Sequence, residues 1–420
     1  MLVSKWRDQW ALGLGVAAMV WKNLRPARRP PPPGHATGEP GISVVVPSRQ
    51  GRHLLERMLG KVEADLASGE IIVVDNGSSD GTAEWLRATH PRVRLEAHPK
   101  PLSFARAANR GVQLAQHSRV CLLNNDMEIE PGFFPALEAA FAEDPDLFCA
   151  SAQIFFPKGL KREETGKTAM HRTERLTAAD YPVYCDEPLE GENYSPVLYG
   201  SGGCSLYDRA KFLALGGFDE FYAPAYVEDL DLGYRAWRRG WSSLYVAGAR
   251  VLHRHRATSS RFFTAEELDR LLDRNHARFL LRSMESLEVF VPYYRHAMSR
   301  LPVTAAAEVF RAASGRRVRR ARSEREILDL TGGAVRVFPG RALAGGRRVL
   351  LSAGSSEMEV PGGVQAHYLA YCRPRAIPPE SLLDLCRAVI YVDGAAGEGS
   401  YRAALGEMQR RYSIEETVGV

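Results

Sequence analysis

Three groups of side chains have the types and spacing to act on a charged ligand. In IIVVDNGSSDGT, Asp75 closes an apolar run and Asn76, Gly77, Ser78, Ser79, Asp80, Gly81 and Thr82 follow it. A carboxylate at the end of a buried parallel strand faces the crevice where open α/β sheets bind ligands, and it can accept a base N–H or a ribose hydroxyl. Read locally, the same string is a turn in which Asp75 and Asp80 act as caps. In VCLLNNDMEI, Asn124, Asn125 and Asp126 end a second apolar run. A carboxylate with a side-chain amide two residues earlier can hold a hard divalent cation that keeps waters and bridges phosphate oxygens. Asn and Asp after a strand also form simple turns. In AYVEDLDLGYRAWRRG, Glu228, Asp229 and Asp231 precede a helix. Its dipole favours them, and a like-charged neighbour raises one pKa toward the range of a general base. An ordinary acidic helix start has the same composition.

Glycine turns lie close by. GSGGCSLY, with Gly202 and Gly203, and LGGFDE at 215–220 let backbone approach a ligand. After the strand-like run SSLYVAGARVLH come His253 and His255.

These residues need a scaffold, and the chain between 41 and 290 supplies the pattern of one. Short β-branched runs, ISVVVP (42–47), EIIVVD (70–75), RVRLEA (92–97) and RVCLLNND (119–126), alternate with amphipathic stretches. Continuous apolar runs of this length mark strands buried on both faces, with helical crossovers between them. The expected class is α/β, doubly wound, with a mainly parallel mixed sheet. Ser78 or Asp80 can cap a helix from near Thr82, and Pro131 stands where one through Phe134–Phe141 would begin. Residues 157–195 are polar, with Lys158, Lys161, Arg162, Glu163, Glu164 and Lys167 close together. That is a solvated loop or a basic wall facing an anionic ligand.

The flanks differ. In residues 1–24, the run from Trp10 to Trp21 is shorter than the roughly 20 apolar residues a membrane-spanning helix needs. Trp6, Trp10 and Trp21 at its edges, with Lys5, Arg7, Lys22, Arg25, Arg28 and Arg29 around it, suit a headgroup layer. A helix packed on the protein's own core and an uncleaved signal-like segment are the other readings. Residues 25–40 hold clustered prolines and form a semi-rigid tether. A helical basic connector over 291–346 includes Arg311, Arg316, Arg317, Arg319, Arg320, Arg322 and Arg325. It reads as solvated, or as touching acidic lipid headgroups. Residues 347–420 hold two more strand-like runs, RRVLLSAG and RAVIYVDG.

Composition sets the outer limits. Of 420 residues, 45% are hydrophobic and 25% charged, which excludes a disordered, collagenous or polytopic membrane chain. The net charge of +5 is too thin to argue for nucleic acid. Six dispersed cysteines without a C-x-x-C pair suggest neither a zinc ribbon nor a disulfide framework, and fit a reducing cytoplasm.

Taken in order, ISVVVPSRQG, IIVVDNGSSDGT, ANRGVQLA, CLLNNDMEI, GSGGCSLYDRAKFLALGGFDE and VEDLDLGYRAWRRGW resemble the family 2 glycosyltransferases, inverting enzymes of GT-A fold. The closest likeness is to their bacterial rhamnosyltransferase-like branch, over about residues 41–290. The resemblance implies a Rossmann-like nucleotide-sugar-binding domain in which Pro47, Asp75 and Asn76 hold the nucleotide and Arg106 and Asn109 lie near the diphosphate. Asn124, Asn125 and Asp126 match the metal motif D-x-D, with Asn124 leaving one carboxylate where that motif has two. Gly202 and Gly203 border the donor. Asp229 is the implied general base, with Glu228 beside it and Asp231 a rival, and His253 approaches the metal or the leaving phosphates. The implied cofactor is Mg2+ or Mn2+, the donor a dTDP-, UDP- or GDP-sugar, and the acceptor a glycan or lipid-linked hydroxyl. No nucleic acid partner is expected, and the expected location is the cytoplasmic membrane face. A non-catalytic sugar-nucleotide binder and a nucleotidyltransferase are the alternatives. The tail looks like the opening strand and glycine loop (Gly362, Gly363) of a family 4 GT-B enzyme, but is too short for a complete one.

Overall fold

Alternation within the first strand builds a sheet covered on both faces. In β1 (Glu39–Ser48), Val44 and Val46 enter one hydrophobic cluster and Val45 enters another, all fully buried. Each such side chain contributes about 1.5–3 kcal/mol when taken from water. The computed structural model describes residues 2–25, 38–160, 164–171, 181–185, 187–188, 192–254, 262–302, 305, 309 and 321–333. The tail beyond 333, the tether 26–37, His255 and most of the connector's arginines lie outside them.

The strands are β1, β2 (Gly69–Asn76), β3 (Arg94–His98), β4 (His117–Leu123), β5 (Met127–Ile129), β6 (Leu147–Phe155), β7 (Thr168–Met170), β8 (Val183–Cys185), β9 (Cys204–Asp208) and β10 (Ser242–His253). Eight form one sheet in the order β3-β2-β1-β4-β9-β6-β10-β5, and β7 pairs with β8. The β1, β2, β3 and β4 pairings and β6 with β10 are parallel; β9 and β5 run antiparallel to their neighbours. The run expected over 119–126 stops at Leu123. There Met127 N–H donates to Asn124 O (3.1 Å), and the turn sends β5 back along β10.

Helices α2 (Arg52–Asp65), α3 (Thr82–Thr89) and α5 (Phe133–Ala139) bury side chains in one cluster, and α4 (Phe104–Leu114) and α6 (Arg209–Ala214) in the other. In α4 the buried side is small, and a Cβ on Gly111 would stand 2.2 Å from Val45 Cγ1. This close approach brings α4 down onto β1. Asp80 caps the start of α3, its Oδ1 accepting Thr82 N–H at 3.2 Å.

A third cluster joins α1 (Leu2–Leu24), α7 (Glu228–Arg238), α8 (Ala265–Ser283), α9 (Leu287–Arg300) and α10 (Glu324–Gly333). The N-terminal segment therefore packs on the body of the protein with one face, through Ala18 and Met19, while Trp10, Val20, Trp21 and Leu24 stay exposed. Lys22 corrects the sequence expectation. It is 1% exposed instead of facing a headgroup layer, and its Nζ donates to Leu281 O (2.7 Å), Arg282 O (3.3 Å) and Met284 O. The final carbonyls of α8 need donors, and a cation at that end also meets the helix dipole. Among the described residues no helix is long and apolar enough to cross a membrane.

Candidate active site

Strand order reverses between β1 and β4, the place where open α/β sheets take ligands beyond their carboxyl ends. A cavity of about 520 Å³ opens there. Its walls come from the ends of β1 (Pro47, Ser48, Arg49), β2 (Asn76), β4 (Asn124 to Asp126) and β10 (His253), from Gly202 and Gly203 before β9, and from Glu228 and Asp229 at the start of α7. Three motif blocks far apart in sequence thus meet in one hollow.

Asp229 is held by backbone. Its Oδ2 accepts Gly202 N–H at 3.2 Å and its Oδ1 accepts Leu230 N–H at 2.8 Å. Burial raises its pKa, these N–H groups oppose the rise, the Glu164 charge adds to it, and the value is pushed up to about 6. Glu228 is 4% exposed, and among the described residues its Oε2 has no hydrogen-bond partner. Burial, then the charge of Asp229, pushes Glu228 well above the usual carboxylate range. Of two adjacent buried carboxyls, the one with N–H donors ionises first. Asp229 therefore carries the negative charge and Glu228 keeps its proton.

The approach to α7 is strained. Tyr226 and Val227 have φ of +72° and +77°, a region that costs side-chain-bearing residues energy. Buried Asn275 on α8 pins this loop, its Nδ2 lying 2.7 Å from Tyr222 O, 3.0 Å from Ala225 O and 3.1 Å from Tyr226 O.

On the β4 side, Asn125 Nδ2 donates to Ser48 Oγ at 2.9 Å, which ties the turn to β1. Asn124 N–H donates to Gly203 O at 2.7 Å, and its side chain lies against Gly203, where a Cβ would be 2.5 Å from Nδ2. Asp126 Oδ2 stands 3.5 Å from His253 Nε2, and Glu164 Oε2 stands 3.5 Å from His253 Nδ1. Burial alone would lower the His253 pKa, but the two carboxylates outweigh it and push the value up to about 10.

Asp126 and His253 converge on the cavity and fit a divalent cation as a pair, with the cation taking the place of the proton that Nε2 otherwise carries. Among the described residues no three His, Cys, Asp or Glu side chains gather as a cage. Two protein ligands completed by water and phosphate oxygens are the usual arrangement for such a cation.

Other expected residues stand elsewhere. Asp231 corrects the acidic block: it does not line the cavity and is 1% exposed. Its oxygens accept Tyr222 Oη (3.2 Å), Ser283 Oγ (2.6 Å) and Arg235 Nε (2.6 Å), so the carboxylate is used up inside the fold. Asn109 is likewise spent, exchanging two 2.8 Å hydrogen bonds with the backbone of Phe218. Arg106 pairs with Glu220 at 3.2 Å on the surface. Neither lines the cavity, and nor does Asp75, whose Oδ1 accepts Ser78 N–H at 3.2 Å. Asn76 does line it, with its amide bonded both ways to Leu102.

Sequence reasoning did not single out Glu164, Arg49 or the aromatic wall of Tyr181, Tyr184, Tyr199 and Phe262 as site residues. Arg49 stacks on Phe262, with Cζ 3.9 Å from the ring centre. Its place two residues after Pro47 was the available signal. Glu164 had none, being one acid in a charge run.

A family model described as glycosyltransferase like family 2 matches residues 40–274. N-acetylglucosaminyl-diphospho-decaprenol L-rhamnosyltransferase of Mycobacterium tuberculosis is 32% identical over 238 residues, 52% of this chain and 76% of that enzyme. Validoxylamine A glucosyltransferase of Streptomyces hygroscopicus subsp. limoneus is 26% identical over 240 residues, 51% of each chain. The crystal structure of GalNAc-T7 with UDP, GalNAc and Mn2+ superposes with a TM-score of 0.51 at 15% identity, covering 76% of this chain and 68% of that one, and so shares the fold.

Proposed function

Because the chain belongs to glycosyltransferase family 2 and is rhamnosyltransferase-like, we propose that it moves a deoxyhexose or hexose from a nucleoside-diphosphate sugar to a hydroxyl of a lipid-linked or glycan acceptor, with inversion. The observation that carries this reading is Asp229: an ionised carboxylate in the cavity wall, held by two backbone N–H groups beside a neutral Glu228.

In a direct displacement the acceptor oxygen attacks the anomeric carbon and its proton passes to Asp229. The bond from that carbon to the diphosphate breaks, and its electron pair leaves with the phosphate. A base with a pKa of about 6 is ionised at neutral pH and still basic enough to take a proton in the transition state. Asp126 and His253 would hold the divalent cation, which supplies neutralisation of the charge on the leaving diphosphate when bound. Asn76, Pro47 and Ser48 would border the nucleotide, and Arg49 adds a fixed positive charge at the same rim.

The acceptor reading rests on similarity to an enzyme whose named substrate is lipid-linked. The outer face of α1 supports it. Trp10 is 72% exposed and Trp21 57%, with the Arg25 guanidinium 3.8 Å over the Trp21 ring. Aromatic rings beside cations suit the headgroup layer, so α1 would rest on the cytoplasmic membrane face as a peripheral contact.

Purified protein incubated with dTDP-, UDP- and GDP-sugars, Mn2+ and polyprenyl-diphosphate-linked sugar tests the reading. Transfer from one donor class, giving the inverted linkage by NMR, is the expected result. Retention of configuration, or release of pyrophosphate in place of nucleoside diphosphate, would overturn it.

A further inference from the structure

Glu164 lines the cavity yet belongs to none of the six sequence blocks that carry the family likeness. It meets His253 from the side opposite Asp126. The two carboxylates address different ring nitrogens, Glu164 at Nδ1 and Asp126 at Nε2, each at 3.5 Å. An imidazole can give a cation only the nitrogen that carries no proton, and the hydrogen bond at the other nitrogen decides which that is. The Phe156 ring, with its centre 5.5 Å from that of His253, limits the rotation that would exchange them.

The backbone after Glu164 is firmly seated. Ile154 N–H donates to Thr165 O at 3.1 Å, and Ser151 Oγ donates to Gly166 O at 3.0 Å. Gly166 has φ of +84° and lies so close to β6 that a Cβ would stand 1.8 Å from Ala152 O. Lys167 forms a buried ion pair with Glu192 at 2.8 Å. Glu164 thus projects from a stretch fixed to the sheet.

We propose that Glu164 is a positioning residue that accepts the Nδ1–H of His253 and so leaves Nε2, on the Asp126 side, as the nitrogen that exchanges its proton for a cation, completing a two-ligand site. The inference rests on the cation reading given above and adds to it the residue that orders the histidine. Glu164 itself stays outside the ligand set, because it touches the wrong nitrogen.

The test uses full-length protein and Mn2+ alone, with affinity read from the free-ion EPR signal and histidine ligation from nitrogen modulation of the bound-ion spin echo. Glu164→Gln keeps shape and loses the charge; Glu164→Asp keeps the charge. The expected result is wild-type binding with nitrogen modulation, a loss of about 10- to 100-fold in affinity with weakened modulation in Glu164→Gln, and partial recovery in Glu164→Asp. Unchanged melting temperature in Glu164→Gln confirms that the fold is intact. Mn2+ affinity within about twofold of wild type and full modulation in Glu164→Gln would overturn the positioning role while leaving the cation site standing. A wild type that binds no Mn2+, or binds it without nitrogen modulation, would overturn the cation reading of His253 and this inference with it.

Discussion

The carboxylate of Asp229 accepts the amide of Gly202 at 3.2 Å, joining the first turn of α7 to the glycine turn before β9. That contact places a carboxylate from one sequence block against a backbone from another. It also favours ionisation of Asp229 over Glu228, because an N–H donor stabilises a carboxylate more than a neutral carboxyl.

The pH dependence follows. As the proposed base Asp229 would act as an anion, and its pKa is pushed up to about 6 from a usual value of 3.8. The acid limb of kcat/KM should therefore fall tenfold per pH unit below about 6, and a profile flat down to pH 4.5 would contradict the assignment. The sign for stability is opposite. A carboxyl whose folded pKa is raised is favoured as the acid, so the fold is penalised as pH rises from about 4 through about 6. Asp229→Asn should melt above wild type at pH 7 and lose that advantage near pH 4, measured by paired thermal melts.

Asn275 does not line the cavity but holds the strained loop that leads into α7. Asn275→Ala removes the amide donor shared by the buried carbonyl of Tyr222 and the part-buried carbonyls of Ala225 and Tyr226, at a cost of about 1–3 kcal/mol. Released strain at Tyr226 and Val227 would move Asp229, the proposed base, so kcat should drop at least tenfold while nucleotide affinity holds. Equal losses in both would show general unfolding instead.

The two faces of α1 should separate experimentally. Lys22→Met removes the donor shared by Leu281, Arg282 and Met284 carbonyls and should lower stability by about 1–3 kcal/mol in urea titrations. Trp10→Ser with Trp21→Ser should leave the melting temperature within about 2 °C, since both rings are exposed. The same pair should cut sedimentation with anionic vesicles severalfold. Unchanged sedimentation would remove the membrane from the account.

Much of this was legible in the sequence, for local reasons. Ile42 to Pro47 reads as a doubly covered strand because apolar side chains occupy both parities, and Asn124 to Asp126 and Glu228–Asp229 reach the cavity because each ends or begins such an element. What was illegible depends on distant partners. Asp231 looks equivalent to Asp229 until Tyr222, Ser283 and Arg235 converge on it. Lys22 looks like a surface cation until the end of α8, some 260 residues later, supplies carbonyls. Asn109 looks available for a diphosphate until the Phe218 backbone claims both ends of its amide.

The most direct measurement compares wild type with Asp229→Asn using the donor that wild type accepts, following sugar transfer and nucleotide binding in parallel. Loss of a general base should lower kcat by about 10²- to 10⁴-fold, with the dissociation constant for the nucleoside diphosphate within about threefold of wild type. Transfer at wild-type rates by Asp229→Asn would contradict the central claim, and lost nucleotide binding would reassign Asp229 from the reaction to the fold.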